Sequence, residues 1–541
     1  MNRNSLNTLV LTAMPLLSPC FAIAQVSADA GTLQQQIERD RQGALPQRVA
    51  PARAAAAHDL RPVSGPVLEL KAFKFVGNRL LTEQQLSQAV AAYLGHPLDF
   101  AQLQAAAAAV GDAYRTAGWV VDAYLPAQDI QDGVVTVQIV EAVFGGVKIE
   151  GEAKRVQTNR LVQGVAAQQA VGQPANANAL DRALLLADDL PGVAISGSLR
   201  AGTREGDTNL VYNVADEPLV TGDARADNTG SRSTGASRLS ANVLINSPAG
   251  QGDQLSANLM ASEGSRYARL GYTVPVGYDG WQVGANASHL GYELIGASGK
   301  GTSQTVGVDA RYPIVRARQQ NLYLALNADH KAFDNAFNGA TTTRYGMDVA
   351  SVGLSGNHFD DLGGGGANSM SVTWVTGQRN NQVGSSDARF GKLRYALSRQ
   401  QTVASALSVY AGLDGQTSKD TLDTSESIYL GGVNGVRAYP TNEGRGSSGE
   451  LFKLELRWRA LDNLVLTSFY DHGRVSNRDG APSFSLQGAG LAASWQAGAD
   501  LGLSATYARR MGTNPGATTT GTDSDGSLTK NRFWLSASFA F

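Results

Sequence analysis

The sequence predicts an all-β transmembrane barrel of sixteen antiparallel strands, preceded by two small α+β domains and a short N-terminal helix. Three features carry that prediction. The chain starts like an exported protein, residues 67–217 hold two copies of one unit, and from Leu219 to Phe541 apolar and polar residues alternate with a period of two. The composition fits: 45 basic against 47 acidic side chains, 61 glycines and one cysteine in 541 residues. A formal net charge of −2 leaves no basic footprint for nucleic acid.

Residues 1–24 combine Arg3, an apolar run from Leu9 to Phe21 and Ala22-Ile23-Ala24, the pattern of a signal peptide cleaved before Gln25. Pro19 beside Cys20 argues against a lipid-anchored start, and cleavage would remove the only cysteine. No later stretch reaches the roughly eighteen apolar residues of a membrane helix. A membrane location therefore requires a closed barrel, the other form that pairs every backbone N–H and C=O inside lipid.

In the segment 25–45, Leu33 and Ile37 lie four apart and predict a weak helix over Gly31 to Leu45. Residues 46–66, an alanine run punctuated by Pro46, Pro51, Pro62 and Pro66, predict a flexible linker. Such a helix has little core of its own and needs somewhere to dock.

The two repeats occupy 67–143 and 144–217. Phe75-Val76-Gly77 in the first corresponds to Ile149-Glu150-Gly151 in the second, and Gly95 precedes Leu103 by the same interval that separates Gly172 from Leu180. Thr82 to Gln85 has capping-box spacing, followed by an expected stripe of Leu86, Val90 and Leu94 and a stop at Gly95. A second helix is expected from Asp99 to Gly118, and Asp132-Gly133 and Gly206-Asp207 each introduce a closing strand. Each unit reads β-α-α-β-β.

Residues 218–541 predict the barrel. In the last strand Phe533, Leu535, Ala537, Phe539 and Phe541 share one face and Arg532, Trp534, Ser536, Ser538 and Ala540 the other. Phe452, Leu454, Leu456 and Trp458 alternate with Lys453, Glu455, Arg457 and Arg459; one face suits lipid and the other a wet lumen. Seven short turns, including Ser247 to Gly250, Asp361 to Gly366, Arg399 to Gln401 and Ala460 to Asn463, alternate with longer connections. The even strand number puts both barrel ends on the side of the repeats. A soluble sandwich or propeller would instead bury the charged faces.

The longest connection, Lys419 to Gly449, carries Val436-Arg437-Ala438-Tyr439 among Gly431, Gly432 and Gly435. Two strands later comes Phe469-Tyr470-Asp471-His472-Gly473, whose alternation turns Phe469 and Asp471 to the lumen. A carboxylate there needs a partner, and an arginine on a loop long enough to fold inward can supply a bidentate one. Catalysis finds no support. The six histidines have no metal-ligand spacing, no Gly-x-Ser-x-Gly or His-Glu-x-x-His occurs, and His472 points away from the lumen that Asp471 faces.

On these motifs the sequence resembles the two-partner secretion transporters (the TpsB, or ShlB/FhaC/HecB, family), relatives of the BamA-like barrel assembly proteins, over nearly the whole mature chain. The resemblance implies a plug helix bearing Leu33 and Ile37, two periplasmic POTRA domains and a sixteen-stranded outer-membrane barrel. It implies that Val436, Arg437, Ala438 and Tyr439 enter the lumen, that Arg437 meets Asp471 of the Phe469/Asp471/Gly473 motif, and that Phe541 is the barrel assembly signal. Ala438 stands where the family has glycine, which puts the local backbone freedom in question. The implied partners are a secreted TpsA-type exoprotein with an N-terminal secretion domain (an adhesin, haemolysin or contact-dependent toxin), the barrel assembly machinery during biogenesis, and outer-membrane lipids, with no cofactor or metal. The alternative is a general barrel assembly factor, whose relatives usually carry more POTRA repeats and no N-terminal helix.

Overall fold

The computed structural model describes residues 28–40, 68–130, 132–204, 206–477 and 483–541. The expected signal peptide, the linker and residues 41–45 of the expected helix lie outside them.

The two repeats are built alike. In the first, strand Ala72–Val76 runs parallel to Val134–Glu141, which also pairs with Val121–Tyr124, and helices Glu83–Ala89 and Phe100–Thr116 pack on the sheet. In the second, Val143–Glu152 runs parallel to the central strand Asp207–Asp216, flanked on its other side by Val193–Ala201, with helices Thr158–Gln168 and Ala177–Asp188. Equivalent glycines share a left-handed backbone: Gly77 and Gly151 at φ +98° and +91°, Gly95 and Gly172 at +82° and +83°.

Both helices of the first repeat start in capping boxes, Thr82 with Gln85 and Asp99 with Gln102. One detail differs from expectation. The first helix ends at Ala89 and tightens into a 3-10 turn over Ala91–Tyr93, so Leu94 leaves the buried stripe and is exposed, while Leu86 and Val90 stay in the core with Val110 and Tyr114.

Sixteen strands, from Val220–Asp227 to Asn531–Ala540, form a closed antiparallel barrel. The last strand returns to the first over five residue pairs, Ser536↔Asp227 to Ala540↔Asp223. Phe541 completes this seam: its N–H donates to the Gly222 carbonyl at 3.0 Å, and the Gly222 N–H donates to its carbonyl at 2.8 Å. Leu239, Leu270, Val306, Leu397, Leu491 and Phe533 all point outward, each about 60 % exposed, as lipid-facing side chains do. One turn is displaced from its expected position. Arg399 to Gln401 lie inside strand Ala388–Ala404, where Arg399 binds Asp360, at the end of the strand two places away in the sheet, at 2.7 Å, and the chain reverses only after Ala404.

The second repeat is seated on the barrel. Asp189 takes both Nε and Nη2 of Arg316 at 2.7 Å, Asp181 binds Arg318, and Arg182 donates to the carbonyls of Pro313 and Asp279. Arg160 donates to the carbonyls of Pro275 and Gly277.

The five-pair seam makes barrel closure sensitive to its terminal residue. Phe541→Ser removes the ring that packs at Gly222, and Gly222→Ala brings a methyl against the Asn242 carbonyl oxygen and within 2.8 Å of that ring. Both substitutions are expected to lower the fraction of protein that shows heat-modifiable migration in gels; unchanged fractions for both would refute the seam's importance.

Candidate functional site

The connection between strands Leu407–Ser418 and Ser448–Leu461 folds into the lumen instead of extending from the rim. Its apolar residues drive this. Leu430, Val436, Ala438 and Tyr439 are fully buried, packed with wall residues Leu451, Phe469, Val475, Leu486 and Ala508. The Val436 N–H donates to the Leu430 carbonyl at 2.7 Å, closing a tight turn in which any side chain on Gly435 would collide with that same carbonyl. The wall opposite is thinned by glycine. Gly473 faces Leu430 and Val436, Gly488 faces Ala438, and Gly490 faces Phe469. Ala438 is absent from the residues of positive φ, so alanine is unstrained here, and Gly488 leaves room for its methyl.

Arg437 is the polar centre of this seat. Its Nε and Nη2 donate to Oδ2 and Oδ1 of Asp471 at 2.9 and 2.6 Å, and its own backbone N–H adds a bond to Oδ2 at 3.0 Å. Nη1 lies 2.9 Å from Oε1 of Glu455, whose other oxygen binds Arg457. The guanidinium lies 3.5 Å from the Phe469 ring centre, and the Trp534 indole N–H donates to the Arg437 carbonyl at 2.8 Å. Asp471 is wholly buried and Arg437 nearly so. Two carboxylates and two guanidiniums thus form a neutral group, which offsets the large cost of removing each charge from water. The motif residues Arg437, Phe469 and Asp471 meet directly. Glu455 and Trp534 were not singled out from sequence; each was visible only as a residue on the lumenal face of its strand.

The N-terminal helix, Ala30–Asp40, crosses the lumen. At one end the Ala30 N–H donates to Asn335; at the other Asp40 binds Arg238 at 2.7 Å. Asp29 caps it by accepting from the Thr32 N–H at 2.7 Å. Eleven residues make a marginal helix in water, so docking must hold it. Leu33 and Ile37 enter an apolar patch of the inner wall that includes Leu290, Tyr292, Phe333, Tyr345 and Met347. Full burial of side chains of this size contributes about 1.5–3 kcal/mol each. This patch corrects the expectation of a uniformly wet lumen: the wall is apolar where the helix sits.

The helix also binds the inward loop. Arg39 donates to the carbonyls of Tyr429 and Asn434 at 2.7 Å, the Thr32 and Tyr429 hydroxyls are 2.9 Å apart, and Thr424 donates to Asp29 at 2.9 Å. A side chain on Gly31 would meet the Thr424 hydroxyl and, at 2.9 Å, the Ser425 nitrogen, so glycine permits this approach. The front of the loop has its own buried ion cluster, in which Glu426 binds Lys331 at 2.9 Å and Lys392 at 2.7 Å, with Glu38 of the helix 3.9 Å from Lys331.

The fit of Ala438 to Gly488 is testable. Gly488→Ala places two methyl carbons 2.5 Å apart and should push the loop off its seat, lowering partner secretion in a cell assay. Adding Ala438→Gly should restore most of it; a double variant as defective as Gly488→Ala would show that the contact does not hold the loop.

Comparison with known proteins agrees with this architecture. Residues 206–497 match the model of the haemolysin secretion/activation protein ShlB/FhaC/HecB family, and residues 68–142 match the ShlB-type POTRA domain. The heme/hemopexin transporter protein HuxB of Haemophilus influenzae (strain 86-028NP) is 24 % identical over 419 residues, covering 73 % of this chain and 74 % of its own. The outer membrane transporter CdiB of Dickeya dadantii is 23 % identical over 455 residues, covering 79 % and 80 %. The solved structure of CdiB from Escherichia coli superposes with a TM-score of 0.71 at 21 % identity, over 98 % of this chain and all of that one. BamA from Haemophilus ducreyi lacking POTRA domains 1–3 gives 0.53 at 14 % identity, over 87 % of this chain and 100 % of that one, a likeness of fold. The chain belongs to the ShlB/FhaC/HecB family of two-partner secretion transporters, a barrel in the bacterial outer membrane with its POTRA domains in the periplasm.

Proposed function

We propose that the chain exports a single partner, an exoprotein with an N-terminal secretion domain, by passing it unfolded from the POTRA domains through the barrel lumen. The observation that carries this reading is a lumen occupied by two pieces of chain, the helix Ala30–Asp40 and the loop around Arg437. The helix is attached to the rest of the chain only through residues 41–67, and about twenty extended residues span up to ~60–70 Å, enough for it to leave the barrel while still tethered. The parts then divide as 1–24 signal peptide, 25–45 plug, 46–66 linker, 67–143 and 144–217 POTRA domains, and 218–541 barrel.

The POTRA sheets offer strand edges such as Val193–Ala201, which bonds on one side only to its sheet. An extended client can pair there through its main chain with modest sequence demands. Export on this reading involves no catalytic step and no cofactor. Phe541 serves recognition by the barrel assembly machinery during biogenesis, and outer-membrane lipids surround the apolar belt. A general assembly role is the competing reading, and deletion separates them: loss of one secreted protein supports dedicated export, whereas loss of many barrels supports assembly. The direct test is to look for a long, repetitive exoprotein in an adjacent reading frame and co-express it with the chain; absence of any surface or secreted product would sink the proposal.

Two further outcomes follow from the lumen. Deleting residues 30–40 should raise single-channel conductance without lowering the amount of folded barrel, and unchanged conductance would count against a plug. Arg437→Ala and Asp471→Ala should each cut secretion, because an isolated buried partner is left at a cost of about 3–5 kcal/mol. In a double-mutant cycle the double variant should be no worse than the poorer single one. Additive losses would show that the two residues act separately.

A further inference from the structure

We infer that the inner wall of strands Ser265–Val276, Trp281–Glu293 and Gly299–Arg316 carries a patch of hydrogen-bonding groups fitted to the extended main chain of the exported protein and not to the helix that rests beside it, an inference that rests on the export reading above. Five side chains there are nine-tenths or more buried, yet each holds a polar atom with no hydrogen-bond partner among the described residues: the Tyr267 hydroxyl, Oδ1 of Asn286, and the hydroxyls of Ser288, Ser303 and Thr305. The register of the sheet gathers them. Ser288 pairs with Thr305, and Leu290 pairs with both Ser303 and Tyr267. On the other side Ser303 pairs with Phe333 and Thr305 with Lys331. Leu290 and Phe333 belong to the apolar patch that takes Leu33 and Ile37, and Lys331 lies 3.9 Å from Glu38, so the unpaired groups adjoin the helix's berth.

The helix serves none of these groups. Its interior N–H and C=O groups bond to one another, and Leu33 and Ile37 bring no polar atom. Gln34 turns its Nε2 to Glu38 at 3.0 Å, and its Oε1 is itself buried without a partner among the described residues. A buried polar atom left unpaired costs more than a typical hydrogen bond gains, so each of these groups weighs against the docked helix. An unfolded chain has the opposite need, because every residue except proline carries an N–H and a C=O that require partners. Hydroxyls both donate and accept, so they bind a main chain whatever its side chains. The spacing also matches. Asn286 and Ser288, like Ser303 and Thr305, stand two residues apart on one strand face, about 6.7 Å, the repeat at which an extended chain lying along the strand presents its own groups to one side. The groups that weaken the resting state are thus the ones that the exported chain satisfies, and it displaces the helix by completing bonds that the helix leaves open.

The test uses the purified full-length protein in planar bilayers, with a Gly/Ser peptide of about 40 residues, a random coil, added on the periplasmic side. The triple variant Ser288→Ala, Ser303→Ala, Thr305→Val relieves the docked helix of three unpaired groups, so the fraction of time spent fully open should fall about tenfold. Blockades of the open state by the peptide should shorten about fivefold, because the wall has lost the bonds that hold it. Exchanging Thr305→Val for Thr305→Ser within the triple variant should recover part of both changes. Heat-modifiable migration checks that each variant folds; should the triple variant fail, Thr305→Val alone carries the comparison, with smaller changes in the same directions. An unchanged open fraction or unchanged blockade times in a folded variant, or no recovery with Thr305→Ser, would overturn the inference. Secretion of a co-expressed partner is scored separately in cells. Secretion by the unaltered protein with unchanged blockades in the variant removes only the wall's role; the expected blockade changes without secretion of any partner remove the export reading.

Discussion

A sheet in a bilayer has to close, since lipid supplies no partner for an open strand edge. Everything else in this molecule follows from that constraint. Closure gives each strand an outer face that must be apolar and an inner face free to be polar, and the alternation is the visible trace of this division. It also creates an interior too wide for the wall's own side chains to fill. The interior is occupied by chain from elsewhere: a loop that turns inward and a helix from the N-terminus.

Each of these guests is held by a different balance of forces. The loop is fixed by Arg437 within a neutral group of four charges and by apolar side chains pressed against a wall thinned with glycine. Every partner in that seat comes from the loop or from covalently continuous strands, so it is built to persist. The helix relies on Leu33 and Ile37 in their apolar patch, on its N-terminal cap, and on buried or half-buried polar bonds to the wall and the loop.

Much of this was legible in the sequence, and the exceptions have physical causes. Period-two alternation made the sixteen strands countable, and glycines repeated at equal spacing exposed the duplicated unit, because both signals are local. The Arg399 turn was misplaced because polar residues at a strand end look like a turn when the carboxylate that binds them, Asp360, is some forty positions away. Leu94 was assigned to a helix that a 3-10 turn cuts short. The bond between Arg437 and Asp471 came from a pair of motifs, whereas Glu455 and Trp534 reach the same arginine from strands whose patterns carry no mark of it. The apolar inner patch was hidden most deeply. Tyr292, Phe333 and the pair Tyr345 and Met347 come from three strands, and only the register of the closed sheet gathers them beneath Leu33 and Ile37.

The seating of the second POTRA domain has a mechanical side. Its polar contacts fall at or beside the lower ends of strands Trp281–Glu293, Gly299–Arg316 and Gln320–Phe337, the same strands whose upper parts support the helix. An extended strand scarcely lengthens under tension, at about 3.3 Å per residue, and in a closed sheet it cannot shift without dragging its hydrogen-bonded neighbours. These strands therefore act as stiff rods between the domain and the helix's berth. A displacement of the POTRA domain at this seat is borne by the same hydrogen-bonded strands against which the helix packs.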